Sequence, residues 1–132
     1  MKWIGVIILL AVAGLLLWIR FAPDDVARWH AAPEAAEDRD MEGGVMRAVP
    51  GDLAALDAII RAEPRTHVLA GSVESGLVTY ITRSKVIGFP DYTTVQQRGD
   101  TLALHARLRY GKSDMGVNKA RVERWLAALG QG

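Results

Sequence analysis

The sequence predicts an α+β protein: a single N-terminal transmembrane helix, then a small antiparallel sheet of about four strands packed against flanking helices. Three observations lead to this prediction. An uncharged apolar run opens the chain, apolar stripes at helical spacing occur after residue 50 and near the C-terminus, and residues between them alternate with the period of a strand. The 132 residues include no cysteine, which excludes disulfides, cysteine zinc sites and thiol catalysis.

The N-terminal run is predicted to be a membrane anchor over residues 1–22. It comprises 17 uncharged residues from Trp3 to Ile19, and a helix of that length is about 26 Å long. The hydrocarbon core of a bilayer is about 30 Å thick, so the helix is at the short end of what can span it. Trp3 and Trp18 lie at its two ends, where indole rings favour the membrane interface. We therefore expect a single-pass membrane protein in contact with membrane lipid.

Two other interpretations of this run compete with a retained anchor. The Ala-Val-Ala sequence at residues 11–13 resembles a signal-peptide cleavage site, although cutting there would leave an exposed apolar end. A buried core helix would need protein on all sides, which so short a chain does not supply. Lys2 on one side and Arg20 with Arg28 on the other leave the positive-inside rule nearly balanced. We expect the globular domain on the exported, periplasmic side of a bacterial cell envelope.

Residues 23–44 are predicted to form an acidic tether, because they include two prolines, a glycine pair and a surplus of acidic side chains. Trp29 is an exception in this segment. A tryptophan in a linker usually docks, either on the folded domain or at the lipid headgroups. A short helix is expected over residues 31–40.

Residues 45–132 are predicted to form the α+β globular domain. Asp52 is a good N-cap, and it precedes a helical stripe of Leu53, Leu56, Ile59 and Ile60. Strands are predicted over residues 67–70, 77–81, 92–97 and 101–109. The last helix is expected to end at Gly130, and its apolar face consists of Val122, Trp125, Leu126 and Leu129.

The net charge of +1 hides an uneven distribution of charge along the chain. Residues 21–64 carry four basic and ten acidic side chains, whereas residues 65–132 carry ten basic and five acidic ones. A basic C-terminal half favours anionic partners. An equally open interpretation is that the acidic middle of the chain lies against the basic half within the molecule.

The loop between the last strand and the last helix is the candidate binding site. Its glycines and small polar residues are typical of a turn, and basic residues stand on either side of it. Arginines beside a helix N-terminus can hold a phosphate or carboxylate. The candidate binding residues are Arg107, Arg109, Gly111, Lys112, Ser113, Asp114, Gly116, Asn118 and Arg121. The alternative is that Asp114 only caps the helix and pairs with Arg109 or Arg121.

The same loop carries a family resemblance. Residues 109–123, RYGKSDMGVNKARVE, resemble the C-terminal signature of the domain-of-unknown-function 1499 family: a basic strand, Gly, Ser-Asp-x-Gly-x-Asn and a basic helix with Arg-Val-Glu. Residues 88–91, Gly-Phe-Pro-Asp, are similar to the family's mid-domain Gly-Phe-x-Asp. The likeness extends over roughly residues 50–129. The chain lacks the cysteine segment of many members, and its last strand reads HARLR where a Ser-rich strand is frequent. The resemblance implies no activity.

The leading functional hypothesis is a membrane-anchored, non-enzymatic module that binds an anionic envelope component or a partner protein through the basic strand–helix corner. One alternative is a hydrolase or transferase for an anionic envelope substrate, which would need His105, Asp114 and Arg109 in one pocket. Another is an assembly factor for a membrane complex that acts through its transmembrane span. The three histidines are not at metal-ligand spacing and the tyrosines are dispersed, so no metal, cofactor or nucleic acid is expected.

Overall fold

The computed structural model of the chain describes residues 2–34 and 37–131. Its helices are α1 (Lys2–Phe21), α2 (Val26–Trp29), α3 (Leu53–Arg61) and α4 (Val117–Gln131). Its strands are β1 (Arg39–Met41), β2 (Gly44–Pro50), β3 (Thr66–Ser72), β4 (Leu77–Arg83), β5 (Pro90–Arg98) and β6 (Thr101–Leu108). The predicted α+β class and the apolar N-terminal helix are therefore confirmed.

The strands form one antiparallel sheet in the order β1-β2-β6-β5-β4-β3. The described residues thus contain six strands, and the prediction of about four was too low because it missed β1 and β2.

The helix expected over residues 31–40 is wrong for residues 31–34 and 37–40, which contain no helix; residues 35 and 36 lie outside the described residues. The physical reason is non-local: β2 runs along β6 from Gly44 to Pro50, and β1 pairs with β2 in turn. Such pairing outweighs local helix propensity.

One face of the sheet is covered by α3 and α4 and forms the main core. Leu102, Leu104 and Ala106 of β6 are fully buried there, as their alternation predicts. The helices contribute Leu53, Leu56, Ile60, Val122 and Trp125. At the start of α3 the Asp52 carboxylate accepts a hydrogen bond from the Ala55 backbone N–H at 3.3 Å, so the predicted N-cap is present.

The end of α4 differs from the prediction. The helix continues through Gly130 to Gln131, so Gly130 does not end it. A glycine costs a helix about 1 kcal/mol relative to alanine but does not break its backbone hydrogen bonds. The core contacts of the partly buried Leu126 and Leu129 hold this last turn against the sheet.

The opposite face of the sheet is covered by the chain that follows α1. Trp29 is 6% exposed and stacks on Tyr92, with ring centroids 4.1 Å apart and an angle of 7° between the rings. The Thr94 hydroxyl donates to the Trp29 carbonyl at 2.9 Å, and the His30 ring lies 2.8 Å from the Thr79 hydroxyl. The first part of the segment predicted as a tether is therefore packed against the sheet. Trp29 was expected to dock either on the folded domain or at the lipid headgroups, and in the structure it docks on the folded domain.

The helix α1 is exposed along most of its length. Ile19 is its one buried residue within the described range, and the Ile19 carbonyl accepts a hydrogen bond from Arg83 Nη1 at 3.2 Å. Ala22, just after the helix, is also buried. By length and composition α1 could cross a membrane, and a signal sequence near the N-terminus would meet the same criteria.

Candidate functional site

Asp114 organises the predicted strand–helix corner. Its carboxylate accepts hydrogen bonds from the backbone N–H of Gly116 at 2.9 Å and of Asn118 at 3.0 Å. The Asn118 side-chain amide donates to the same carboxylate at 2.8 Å, and Asn118 is fully buried. These bonds satisfy backbone donors at the start of α4, which is the capping role that the sequence offered as an alternative to binding.

The arginines of the corner pair with carboxylates other than Asp114. Arg121 Nη1 lies 3.2 Å from Asp91 Oδ2, and both side chains are largely buried. Arg109 Nη1 lies 3.3 Å from Asp24 Oδ1, and it also donates to the Tyr92 hydroxyl at 3.1 Å. Tyr92 in turn donates a hydrogen bond to Asp24. The sequence anticipated an Asp114 pair for either arginine, but the real partners come from distant parts of the chain.

Arg107 lies on the sheet face opposite α4. Its guanidinium donates to the Trp29 carbonyl at 2.5 Å and to the Thr94 hydroxyl at 2.9 Å. Burial lowers the pKa of Arg107 to about 10. Arg107 in β6 and Arg109 just after it contact the N-terminal segment through Trp29 and Asp24, whereas Arg121 is on α4. The predicted basic corner is therefore divided between the two faces of the sheet.

The other candidate residues shape the loop or face solvent. Gly111 and Gly116 have φ angles of +93° and +78°, which favour glycine. Lys112 is exposed, and the Ser113 hydroxyl accepts a hydrogen bond from the Met115 N–H at 3.2 Å. Of the nine candidates, the structure brings Ser113, Asp114 and Arg121 together around one cavity.

That cavity, which we call the corner cavity, has a volume of about 280 Å³. It lies between the loop before β5 and the start of α4. Its lining combines apolar, aromatic and charged groups from Ser84, Phe89, Asp91, Leu108, Tyr110, Ser113, Asp114, Val117 and Arg121. Sequence reasoning missed four of the polar and aromatic members: Ser84, Phe89, Asp91 and Tyr110. The Gly-Phe-Pro-Asp segment was a usable signal, because it supplies two of them.

The corner cavity contains two polar groups in unusual surroundings. Burial raises the pKa of Asp91, and the negative charge of Asp114 acts in the same direction, while Arg121 opposes both. The Tyr110 hydroxyl is buried and has no hydrogen-bond partner among the described residues. The Tyr110 ring lies 6.5 Å from the Phe89 ring. A buried hydroxyl without a partner loses hydration free energy, so this side chain destabilises the folded state locally.

His105 belongs to a different place. It lines a separate cavity of about 340 Å³ on the N-terminal-segment side of the sheet, with Arg28, Glu34 and Arg107 among its neighbours. Burial, and secondarily the charge of Arg107, lowers the pKa of His105 to about 4. The corner cavity, which Asp114 lines, includes neither His105 nor Arg109. The hydrolase hypothesis needed His105, Asp114 and Arg109 in one pocket. Neither of these two cavities is lined by all three.

Much of the charge asymmetry along the chain is balanced within the molecule. Carboxylates of the acidic middle form ion pairs with basic residues of the C-terminal half: Asp24 with Arg109, Asp40 with Lys119 at 2.8 Å, and Glu63 with Arg124 at 3.1 Å. Within residues 2–34 and 37–131, no group of three or more His, Asp or Glu side chains is arranged to hold a metal ion.

Comparison with known proteins agrees with the resemblance noted in the sequence. No curated protein matches the chain. The family model of the protein of unknown function DUF1499 matches residues 21–129, from the end of α1 to the last turns of α4. The match therefore includes the Trp29 segment as well as the sheet and both covering helices. The chain belongs to the DUF1499 family.

Proposed function

We propose that this chain is a membrane-anchored, non-enzymatic binding module. In this proposal α1 holds the protein in a membrane, and the corner cavity receives a polar side chain or short peptide segment of a partner protein. One observation supports this proposal most directly. The two segments that resemble the family, residues 88–91 and 109–123, both contribute side chains to the lining of the corner cavity.

The apolar remainder that cleavage would leave favours a retained anchor over a cleaved signal, and contacts at the end of α1 hold that anchor against the domain. Cleavage after residue 13 would leave the rest of the apolar helix attached to the domain. Ile19 and Ala22 are buried, and the Ile19 carbonyl accepts a hydrogen bond from Arg83. The residues from Asp24 to His30 then continue directly onto the sheet. A domain joined to α1 in this way would lie close to the bilayer surface with little freedom to move away from it.

The chemistry of the corner cavity favours a hydrogen-bond donor. Its charged lining consists of two carboxylates, Asp91 and Asp114, and one guanidinium, Arg121. Because Arg121 and Arg109 are already engaged with carboxylates, an anion would have to displace those pairs. The volume is just below the roughly 300–1,000 Å³ of typical small-molecule sites. An amide or ammonium group with a short apolar stem therefore fits better than a free phosphate.

Site-directed photo-crosslinking in the native membrane tests this proposal. A benzoylphenylalanine in place of Phe89 puts the reactive ketone on an aromatic side chain that lines the cavity and is 39% exposed. We expect a discrete protein adduct from this position. The matched control is the same group in place of Glu74, which is exposed in the turn between β3 and β4.

A second substitution tests whether the adduct depends on the cavity itself or on the surface around it. Val117 is 48% exposed at the start of α4, so Val117→Phe should fill the mouth of the cavity without removing a hydrogen bond. We expect the adduct at position 89 to disappear in this variant while the protein remains folded. An adduct that persists in Val117→Phe, or one that is equally strong from position 74, would show that the partner does not enter the cavity.

We also propose that the N-terminus lies in the cytoplasm and the globular domain on the exported side. The charges that flank α1 bias this orientation only weakly, since Lys2 and Arg20 stand at opposite ends. A C-terminal fusion to alkaline phosphatase, which is active only after export, should be active in cells. A fusion to a cytoplasmically fluorescent protein serves as the control and should be dark; the reverse pattern would overturn the orientation.

A further inference from the structure

Another cavity lies where α1 meets the globular domain. It has a volume of about 500 Å³ and is lined by Arg20, Phe21, Arg65, Thr66, His67, Arg83, Ser84 and Lys85. Four of these side chains are cationic and none is a carboxylate. We call it the junction pocket.

The cations of the junction pocket differ from those of the corner in their partners. Among the described residues, Arg20, Arg65, Arg83 and Lys85 form no ion pair with a carboxylate. Arg83 is held by the Ile19 and Gly88 carbonyls at 3.2 and 2.9 Å, and Arg65 Nε donates to the Arg83 carbonyl at 3.1 Å. The pocket therefore has a concentrated positive charge that no carboxylate of residues 2–34 and 37–131 neutralises in an ion pair.

The loop between β4 and β5 forms one wall of this pocket, and its tip exposes large aliphatic side chains. Val86 is 88% exposed and Ile87 is 39% exposed, although both are large aliphatic residues. The loop is nevertheless held in place, because the Ser84 hydroxyl accepts hydrogen bonds from the Gly88 and Phe89 N–H groups. Exposed aliphatic side chains beside a lysine are typical of a segment that dips into a membrane interface.

The loop is also fixed to the end of α1. The Arg20 guanidinium lies so close to Gly88 that a Cβ at this position would come within 2.9 Å of Arg20 Nη1. If α1 spans a bilayer, Arg20 marks the level at which the helix leaves the hydrocarbon core. The junction pocket and the Val86–Ile87 tip then lie at the level of the lipid headgroups.

We infer that the junction pocket binds the phosphate of an anionic phospholipid headgroup. Arg20, Arg65 and Lys85 are its cationic contacts, and Val86 and Ile87 lie at the boundary between the headgroups and the acyl chains. This inference rests on the proposed membrane anchoring and assigns a lipid to a pocket that shares only Ser84 with the lining of the corner cavity. Arginine and lysine are suited to phosphate, the former by paired hydrogen bonds and the latter as a point charge.

Native mass spectrometry of the full chain tests the inference. The protein is inserted into nanodiscs of mixed phosphatidylcholine and phosphatidylglycerol, and the lipids that remain bound after release are identified. The wild type should retain phosphatidylglycerol in excess over its share of the bilayer. Lys85→Gln, and Arg65→Gln combined with it, should lower that excess by about fivefold for each charge removed.

The matched control is Arg39→Gln, which removes an exposed arginine from β1 at the opposite edge of the sheet from β3. Its phosphatidylglycerol excess should equal that of the wild type. An excess that is unchanged in the double variant would overturn the inference. Because Lys85 has no hydrogen bond within the described structure, its single variant tests the pocket even if the double variant folds poorly.

Two further outcomes distinguish a bound lipid from a failed anchor and from a soluble ligand. If the full chain fails to insert into nanodiscs of either composition, both the anchor and the lipid site are wrong; insertion without phosphatidylglycerol excess overturns only the lipid site. In phosphatidylcholine nanodiscs, inorganic phosphate should not reproduce the rise in thermal unfolding temperature that phosphatidylglycerol gives. An equal rise in unfolding temperature with free phosphate would show that the pocket binds a soluble phosphate ligand and not a lipid headgroup.

Discussion

Asp114 accepts three hydrogen bonds at the start of α4, and Arg121 is held next to it by Asp91 and Asn118. These contacts fix the corner between β6 and α4 whether or not a partner binds there. Capping and binding are therefore separable roles at the residue scale. Variants of Asp114 report on the fold, whereas variants at the rim, such as Val117→Phe, report on access to the cavity.

Replacing the capping carboxylate should destabilise the protein. We expect Asp114→Ala to lower the free energy of unfolding by about 1–2 kcal/mol, because backbone donors of α4 lose their acceptor. Ser113→Ala, which removes an acceptor for a single exposed N–H, should cost less than about 0.5 kcal/mol. Guanidinium denaturation of the full chain in detergent measures both. Equal effects of the two substitutions would contradict a special role for Asp114.

The half-buried imidazole of His105 should make stability depend on pH. Its pKa falls from the usual 6.5 to about 4 because burial disfavours the charged form. Below pH 6.5 the unfolded chain therefore takes up a proton that the folded chain does not. The stabilising contribution is complete above pH 6.5 and is lost as the pH falls toward 4.

We expect His105→Asn to reduce the loss of stability between pH 7 and pH 5, measured as the shift of the denaturation midpoint. His67→Asn, at an exposed position on β3, is the control and should keep the wild-type shift. If the two variants lose stability equally over this range, His105 is not the group responsible. The comparison cancels contributions from carboxylates, which both variants share.

At the scale of elements, the chain from Asp24 to His30 acts as part of the domain. Trp29 fills the second face of the sheet through its stack on Tyr92, and its carbonyl accepts hydrogen bonds from Thr94 and Arg107. An indole that is 6% exposed contributes a large apolar area to the folded state. If this segment left the sheet, Arg107 would lose the Trp29 carbonyl as an acceptor and would keep the His105 carbonyl at 2.9 Å.

Trp29→Ala should therefore lower the free energy of unfolding by about 3–5 kcal/mol, as truncation of a buried aromatic side chain does. Trp29→Phe keeps an aromatic ring on Tyr92 and should cost less. The measurements are denaturation of the full chain in detergent and limited proteolysis of residues 23–34, which should become cleavable only in the alanine variant. Unchanged stability in Trp29→Ala would mean that this face does not need the segment.

The elements differed in how far the sequence could predict them. The stripe of α3, the face of α4 and the alternation of β6 were predictable because burial on one side imposes a local period. β2 was not, because its strand character comes from pairing with β6, which lies far along the chain, and β1 forms only by pairing with β2. Of the site, the Asp114 cap was predictable from its spacing to α4, whereas Asp91 and Tyr110 required the sheet to bring distant loops together.

On the scale of the whole molecule, the position of the domain boundary decides which fragment is stable. A fragment of residues 45–132 lacks β1 and the Trp29 segment. It would expose Ile81 and Tyr92 on one face and leave an edge of β2 unpaired. A fragment of residues 22–132 keeps both features and omits only the apolar helix.

We therefore expect the 22–132 fragment to be monomeric and to unfold cooperatively, and the 45–132 fragment to be less stable and to self-associate. Light scattering and urea denaturation of the two purified fragments provide the comparison. Equal stability with both fragments monomeric would show that the N-terminal segment is dispensable for folding.

The sequence by itself determined the apolar helix, the α+β class, the family resemblance and the cap of α4, because each depends on residues that are neighbours along the chain. Only the tertiary structure decided which charges meet. Arg109 pairs with Asp24, which is 85 residues away, and Arg107 and Arg121 lie on opposite faces of the sheet. The physical reason is that an ion pair depends on distance in space, and the order of the strands sets that distance.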